Sequence, residues 1–385
     1  MGFVAIRLLY RLCQKVQKIV QRRWVMSSWR ECKLGDVAKL SKKSWKVGDE
    51  QMSYIGLEHI EEAKLRLNGI GKSDDVASNK FRFQAGDTLF GKLRPYFRKV
   101  VKPNFDGICS TDIWVINPQQ GIDKDFIFYF FANKELVDIS YSASGGTRMP
   151  RADWDFLAQT IWNIPPLEEQ KAIVEVLSSL DDKIDLLHRQ NQTLESLAGT
   201  LFRQWFIEEA KEKWEIGTFD DLVEVSSGKS LKRELFDDMG KYEVLGANGK
   251  IGKTNEWLFE EKLIYTGRVG TLGNVFLIDE DKKVWLSDNT LVVKPKKYFY
   301  FIYFLMIDFQ LENLNVGSTQ PLVRQSDLKN IEILLPNDEI VLRFEQQSKN
   351  IFKKINQNKK QIQTLENLRD TLLPNLLSGE VRVKI

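Results

Sequence analysis

The sequence predicts an α+β protein in which two globular α/β domains alternate with two long helices that form an antiparallel coiled coil. The first observation is a heptad seam from Ile173 to Trp205, where seam positions recur at alternating steps of four and three residues. The same seam returns 171 positions later, from Phe344 to Leu376. The pattern that opens at Trp29 is likewise resumed 185 positions later, at Trp214. The chain is therefore predicted to be a pseudo-two-fold internal repeat of a globular segment followed by a helix.

The polar positions of the seam predict how the two helices pair. An antiparallel arrangement can place Asn191 opposite Asn358, and any slip would bury an amide without a partner. The alternative is two amphipathic helices that each pack on their own domain. The residues predicted to pair across the seam are Ile184, Leu187, Asn191, Leu194, Ile355, Asn358, Ile362 and Leu365.

Composition limits the classes of protein to consider. The chain has 385 residues, of which 43% are hydrophobic and 28% charged, which is typical of a soluble protein with two or more domains. A net charge of +3 does not indicate a nucleic-acid partner by itself, so a basic surface would have to be local. The three cysteines show no metal or disulfide spacing, which favours a reducing cytoplasm. With only two histidines, we expect neither a metal site nor histidine-based catalysis.

Residues 1–28 contain six cations and no acidic residue. Their apolar runs are too short for a transmembrane helix, and no signal-peptide cleavage site follows, so we expect no membrane span. Two interpretations stay open. The segment is either a basic amphipathic helix that touches a membrane surface or DNA, or an extension that precedes a natural start at Met26 and is not native.

The pattern predicts globular domains at residues 29–164 and 214–336, with helical spacers at 165–213 and 337–385. Two glycine loops, at 145–147 and 317–319, should lie near the ends of the globular domains. Helices are predicted at residues 126–139 and 300–311. Strands are predicted at residues 54–60, 81–83, 87–90, 113–117, 263–265, 275–278 and 290–293.

Two segments come close to a phosphate-binding loop but fail on chemistry. Residues 86–93 and 247–254 are rich in glycine and lysine, but the motif needs Ser or Thr after the lysine and a helix behind it. Leu93 cannot bind magnesium, and Pro95 disfavours a helix at that point. The sequence also has no glycine-rich methyl-donor loop after a strand. The acidic residues around Asp279 are better explained by a solvated turn than by a nuclease site.

Cations interleaved with glycine and aromatic residues are the main candidates for function. Arginine and lysine neutralise phosphates, arginine can bind guanine through two hydrogen bonds, and asparagine can bind adenine in the same way. The alternative for each loop is a solvated surface. The residues predicted to contact DNA are Lys92, Arg94, Arg98, Lys99, Arg148, Arg151, Asn248, Lys250, Lys253, Arg268 and Arg324.

From about Trp29 onward the chain resembles the specificity (S) subunit of type I restriction-modification systems. The resemblance rests on residues 54–58, 86–96, 109–112, 165–170, 246–249, 287–290 and 376–380. It implies two target-recognition domains that each read half of an interrupted site in double-stranded DNA. It also implies two docked methyltransferase (M) subunits and further restriction (R) subunits. S-adenosylmethionine, ATP and Mg are then expected on those partners, with no cofactor on this chain.

The resemblance places partner docking at Leu167, Glu169 and Gln170. The second half departs from the family pattern at residues 337–340, which makes docking on the second helix less certain. The leading hypothesis is a DNA-binding subunit without catalytic activity of its own. The alternatives are a fused methyltransferase or nuclease, and a coiled-coil adaptor that binds protein without DNA specificity.

Overall fold

The computed structural model divides the chain into two compact units. Unit 1 comprises residues 1–186 with 361–385, and unit 2 comprises residues 187–360. Both predicted glycine loops, Arg148 and most of residues 1–28 lie outside the described residues. The structure describes residues 20–21, 28–143, 149–210, 214–270, 272–314 and 321–383.

The described residues form short strands, short helices and two long helices. The strands are β1 (Val20–Gln21), β2 (Arg30–Lys33), β3 (Ala38–Ser41), β4 (Ser44–Trp45), β5 (Ser53–Ile55), β6 (Gly71–Lys72), β7 (Lys80–Phe83), β8 (Thr88–Gly91), β9 (Val100–Val101), β10 (Gly107–Cys109), β11 (Ile113–Pro118), β12 (Ile161–Ile164), β13 (Glu215–Thr218), β14 (Val223–Ser227), β15 (Tyr242–Gly246), β16 (Gly249–Thr254), β17 (Leu263–Gly267), β18 (Val275–Ile278), β19 (Val284–Leu286), β20 (Thr290–Pro295), β21 (Glu332–Leu335) and β22 (Arg382–Val383). The helices are α1 (Leu34–Val37), α2 (Lys124–Ala132), α3 (Lys134–Ser142), α4 (Trp154–Leu157), α5 (Leu167–Arg203), α6 (Phe219–Leu222), α7 (Phe299–Asp308), α8 (Gln325–Lys329) and α9 (Asp338–Leu377).

The two units repeat one sheet framework. Unit 1 contains a four-stranded sheet in the order β3-β11-β8-β9, and unit 2 contains its counterpart, β14-β20-β17-β18. A parallel strand pair also occurs in each unit, between β5 and β10 and between β15 and β19. A two-stranded antiparallel ladder, β2 with β12 or β13 with β21, precedes each long helix. The α+β class and the internal repeat predicted from the sequence are therefore confirmed.

The central strands are buried along their whole length and consist largely of apolar residues. All five residues of β17 are buried, and the strand lies between β18 and β20. In unit 1 the short β8 is buried throughout and lies between β9 and β11. Each strand ends at a glycine, Gly91 or Gly267, from which a loop leaves the sheet.

The single helix predicted at residues 126–139 is wrong, because the chain forms α2 and α3 with a break at Asn133. That residue has an extended backbone (φ −63°, ψ 132°), and its side chain accepts a hydrogen bond from the backbone N–H of Glu135. A cap of this kind starts a new helix. The apolar periodicity continues across the break, which is why the pattern alone did not show it.

The long helices α5 and α9 have 37 and 40 residues, and the second is therefore about 60 Å long. In unit 2 the Asn358 amide donates to the Asn191 side-chain oxygen at 2.9 Å, and both residues are buried. Further along the same unit, the rings of Phe202 and Phe344 lie 5.9 Å apart. Partner numbers fall on α9 as they rise on α5, so the two helices are antiparallel, in the register that pairs the asparagines.

The eight predicted seam positions lie in the interface as their spacing requires, with Leu194 half-buried and the others buried. In unit 1 the same antiparallel order is seen in the ion pair between Arg369 on α9 and Asp181 on α5, at 2.8 Å. Ile173 and Leu177 of α5 share one apolar cluster with Leu373 of α9.

In unit 1 a buried polar network joins the globular fold to the long helices, beside the apolar cluster that they share. Arg369 is buried and binds both Asp181 and Asp370, while the Tyr129 hydroxyl of α2 donates to Asp181 at 2.7 Å. Burial, together with the Asp181 carboxylate, raises the pKa of Tyr129, so its hydroxyl keeps its proton and remains a donor. Arg98 completes the network by donating to Asp370 at 2.7 Å.

The equivalent contact in unit 2 is aromatic. Phe304 of α7 occupies the position of Tyr129, and its ring lies 6.1 Å from that of Phe352 on α9. Phe202 of α5 stacks on Phe304 with ring centroids 5.8 Å apart. At this position unit 1 therefore has a buried ion-pair network, whereas unit 2 has packed aromatic rings. No helix among the described residues is long and apolar enough to cross a membrane.

Candidate nucleic-acid interface

In unit 1 the loop that leaves β8 presents Lys92 from a backbone fixed on both sides. The Lys92 N–H donates to the Asp112 carbonyl at 2.9 Å, and the Lys92 carbonyl accepts from the N–H of Ala152, also at 2.9 Å. Because the two neighbouring loops hold its peptide groups, the residue stays in place while its half-buried side chain extends from the sheet edge.

Unit 2 builds the same arrangement around Arg268, after β17. Its N–H donates to the Asn289 carbonyl at 2.8 Å, and its carbonyl accepts from Val323 at 3.0 Å. Lys92 and Arg268 are therefore equivalent residues. A cation directly after the last glycine of a central strand is the feature that the two globular folds share at this loop.

Two positions further along, both loops adopt a left-handed backbone. Arg94 has φ +50° and Gly270 has φ +85°, and their N–H groups donate to Pro150 and Pro321 at 2.7 and 3.0 Å. Glycine accepts this conformation freely, whereas for arginine it costs about 1–3 kcal/mol. The arginine is thus held in a strained conformation on the loop that carries Lys92, as is common at binding sites.

The structure brings Lys92, Arg94 and Arg151 together. Leu93 forms an isolated β-bridge with Arg151, and the half-exposed Arg151 side chain donates from Nε to Asp112 at 3.2 Å. Lys92 also lines a cleft of about 270 Å³ together with Lys42. Lys42 was not among the residues predicted from the sequence, because it lies just after β3 and outside the glycine-rich loops.

Arg98 and Lys99, which the sequence assigned to DNA contact, are occupied by contacts within unit 1. Arg98 binds Asp370 and the Ala63 carbonyl, and its side chain is only 12% exposed. The Lys99 ammonium donates to the Leu57 carbonyl at 2.8 Å. Both side chains stabilise the fold, and we leave them out of the candidate interface.

In unit 2 the Arg268 side chain lies next to β14. Its Nη1 is 3.5 Å from the Ser227 hydroxyl, to which Gln325 also donates at 2.9 Å. Its buried Nε has no hydrogen-bond partner among the described residues. Arg324 is exposed and follows Val323, the residue that binds the Arg268 carbonyl. Arg268 and Arg324 therefore belong to one local surface.

A hairpin of β15 and β16 extends this surface. The exposed Asn248 at its turn accepts a hydrogen bond from Asn274, just before β18, at 3.1 Å. Lys250 is half-exposed and lies 3.6 Å from Glu243. Although burial favours the neutral carboxyl, Lys282 and Lys250 hold the pKa of Glu243 below its usual value. Lys253 is half-buried on β16, directly across from Glu243.

Comparison with known proteins agrees with this duplicated architecture. The family model described as "Type I restriction modification DNA specificity domain" matches twice, at residues 26–196 and 211–372. The chain belongs to this family of type I DNA specificity proteins. Each match contains one globular fold and much of the long helix that follows it.

Individual members of the specificity family are similar over most of the chain. The MjaIX specificity subunit of Methanocaldococcus jannaschii is 28% identical over 310 residues, covering 70% of this chain and 72% of its own. The HindI specificity subunit of Haemophilus influenzae is 23% identical and covers 92% and 100%. A solved type I S subunit from M. genitalium has a TM-score of 0.52 at 16% identity, covering 93% of this chain and 98% of that one. This structural likeness supports the fold.

The docking role predicted for Glu169 and Gln170 does not agree with their burial. Glu169 is 1% exposed and accepts hydrogen bonds from the Trp29 indole and the Arg382 guanidinium. Gln170 is also 1% exposed, and it accepts from the Asp123 N–H at 2.7 Å and donates to Pro165 at 2.9 Å. These side chains hold the start of α5 within unit 1, which leaves Leu167 as the exposed residue of the three.

Leu167, the third residue predicted to dock a partner, is exposed at the start of α5.

Among the described parts of the chain, no group of three or more His, Cys, Asp or Glu side chains is arranged to hold a metal ion. The candidate residues of each unit instead offer cationic side chains, and in unit 2 also an amide, and these groups suit phosphates and base edges.

Proposed function

We propose that this chain is the non-catalytic DNA-binding subunit of a type I restriction-modification complex and that it reads an interrupted site. Each globular fold contacts one half of the site, and the long helices keep the two halves a constant distance apart. The observation that carries the proposal is the cation loop built twice, around Lys92 and Arg268. Duplicated readers on one chain suit a target with two separate halves.

The contact set divides by unit. In unit 1 it consists of Lys92, Arg94 and Arg151, with Lys42 added from the cleft. In unit 2 it consists of Arg268, Arg324, Asn248, Lys250 and Lys253. Cations on loops suit phosphate contacts, and arginine, lysine or asparagine on a loop also suits base edges in the major groove.

The remaining subunits supply catalysis. Two methyltransferase subunits dock on the helices, and restriction subunits complete the assembly. S-adenosylmethionine, ATP and Mg are bound by those partners. The exposed leucines of α5, Leu167, Leu186 and Leu197, are the apolar side chains available for such docking.

The decisive experiment uses the full chain with its methyltransferase partners and maps modified adenines in DNA that carries all site variants. R268A should relax base preference in one half of the site and K92A in the other, each by about 1–3 kcal/mol, or about 5- to 150-fold. The matched control is K297A, which removes an exposed lysine of unit 2 outside the candidate interface.

Equal relaxation of both halves by either variant would contradict the assignment of one half to each unit. A different result is expected if the chain is an adaptor that binds protein without DNA specificity. Its affinity for duplex DNA would be weak and would change little with salt, whereas the affinity of a DNA reader falls steeply as salt rises.

A further inference from the structure

The middle of α9, most of which lies in unit 2, carries a concentration of positive charge that the recognition loops do not use. Residues 346–364 contain five lysines and no acidic residue. The equivalent stretch of α5, residues 175–193, contains four acidic residues against two cations, Lys183 and Arg189. The two stretches therefore differ by seven charges, +5 against −2.

These lysines lie on the solvent side of the helix. Spacings of four and seven residues place Lys349, Lys353 and Lys360 on one face, and Lys354 and Lys359 flank them. All five are exposed, while Phe352, Ile355 and Asn358 take the buried face. The lysines therefore have no part in the helix seam.

Little in the described chain neutralises this face. Lys360 pairs with Glu280 at 2.7 Å. The other four lysines form no ion pair with a described residue. Like charges at i and i+4, such as Lys349 and Lys353, destabilise an isolated helix by about 0.2–0.5 kcal/mol. The lysine face thus opposes folding slightly, which suits a surface kept for a partner.

The chemistry of the face favours a polyanion over a protein surface. Its other members are polar amides, Gln346, Asn350 and Gln357, and this fully described stretch has no large exposed apolar side chain. Protein interfaces have apolar centres that are depleted in lysine. From Lys349 to Lys360 the helix rises about 16 Å, which is close to the rise of about five nucleotides along the duplex axis, at about 3.4 Å each.

We propose that the lysine face of α9, formed by Lys349, Lys353, Lys354, Lys359 and Lys360, binds the phosphate backbone of the duplex that the chain recognises. The inference rests on the proposed DNA-reading function and extends it to the helical spacer. The contact is independent of sequence. It adds affinity and salt dependence and leaves base preference unchanged.

The test replaces the four unpaired lysines by glutamine (K349Q/K353Q/K354Q/K359Q) in the full chain. Glutamine is about as good a helix former as lysine, so circular dichroism should be unchanged. Binding to a random 40-base-pair duplex is measured across a salt series. The slope of log affinity against log salt should become shallower by about 0.9 for each phosphate that the variant no longer neutralises.

Two control variants sharpen the result. Arginine at the same four positions should keep the slope of the parent chain, because the charge is retained. The variant K134Q removes an exposed lysine of unit 1 that belongs neither to the lysine face nor to the candidate interface, and it should leave the slope unchanged.

An unchanged slope in the glutamine variant would overturn the inference and leave the DNA-reading function intact. The lysine face would then suit an acidic protein surface instead. If the parent chain itself binds duplex DNA weakly and without salt dependence, the proposed function fails first. A variant that loses base preference as well as slope would also count against a purely backbone contact.

Discussion

Glu345 shows how a single carboxyl connects a long helix to a globular fold. It lies on α9 and accepts a hydrogen bond from the Phe301 N–H at the start of α7, at 2.7 Å. The equivalent N–H in unit 1, that of Phe126, is capped by Asp123 from its own helix. Burial raises the pKa of Glu345 to about 7, although the backbone N–H groups oppose the shift. The joint of unit 2 therefore contains a carboxyl that titrates near neutral pH.

The pH dependence of this joint follows from the sign of the shift. The folded pKa of about 7 lies above the unfolded value of about 4.3, so the folded state binds the Glu345 proton more tightly than the unfolded state. The folding stability that this proton contributes is fully present below about pH 4.3 and is lost as pH rises through 7. E345Q keeps an acceptor for Phe301 and removes the ionisation. Near pH 5 the variant and the parent should unfold at similar urea concentrations. At pH 8 the variant should unfold at a higher urea concentration, with a free energy of unfolding larger by on the order of 2–4 kcal/mol. An equal difference at both pH values would contradict the burial argument.

Arg369 has the corresponding role in unit 1, with the opposite chemistry. Its removal leaves the carboxylates of Asp181 and Asp370 without a cation next to the buried Tyr129 hydroxyl. R369A should therefore destabilise unit 1 by about 3–5 kcal/mol. Hydrogen exchange should become faster in α2, while α7 of unit 2 should be unaffected because Glu345 and aromatic packing hold its joint instead.

The matched control for R369A is D182N, which changes the exposed carboxylate next to Asp181 on α5, whereas the described ion pairs of Arg369 are with Asp181 and Asp370. It should leave exchange in α2 as in the parent. Faster exchange in α7 for R369A, or no change in α2, would show that the polar network does not hold this joint.

At the scale of the helices, the buried asparagine pair decides the register. Asn358 donates to Asn191, but its own side-chain oxygen is buried without a partner in the described structure. The pair is therefore retained at some cost in stability, as expected of a register device. N358L alone should cost about 1–3 kcal/mol because it leaves the Asn191 amide unpartnered.

The double variant N191L/N358L should recover that loss and reach or exceed the stability of the parent. Urea unfolding of the parent, the two single variants and the double variant gives the coupling free energy between the two positions. Additive effects of the two single substitutions would mean that the amides do not act as a pair.

The same elements show what the sequence could predict and what it could not. The heptad spacing predicted the antiparallel helices and the asparagine register, because the seam repeats along each helix with a period that needs no tertiary information. The pairing of Arg98 with Asp370 and of Glu169 with Arg382 joins residues 272 and 213 positions apart. No local pattern encodes such partners, so a DNA contact and a docking residue were predicted where the fold uses ion pairs.

The cation loops could also be predicted, because they too have a local sequence pattern. Glycine followed by a cation is a local signal, and it located Lys92 and Arg268 correctly as equivalents. Lys42 reaches the cleft beside Lys92 only because β3 lies in the same sheet as β8. Sequence spacing does not show that proximity.

At the scale of the whole molecule, the long helices are proposed to set the distance between the two half-sites, as a ruler would. Removing one heptad from each helix, on the same side of the asparagine pair, shortens both by about 10 Å. The spacer between the half-sites should then shorten by about three base pairs, at about 3.4 Å each, with both half-sites unchanged. Mapping modified adenines across a genome reads out this spacing. An unaltered spacer in a folded, active complex would contradict the ruler role.

The central claim is that two recognition folds on one chain act as separate readers. It is tested most directly by exchanging residues 214–336 for the corresponding segment of another specificity subunit and sequencing the modified sites. The account predicts that one half of the recognised site changes, while the other half and the spacer stay as in the parent. A change in both halves, or in neither, would contradict it.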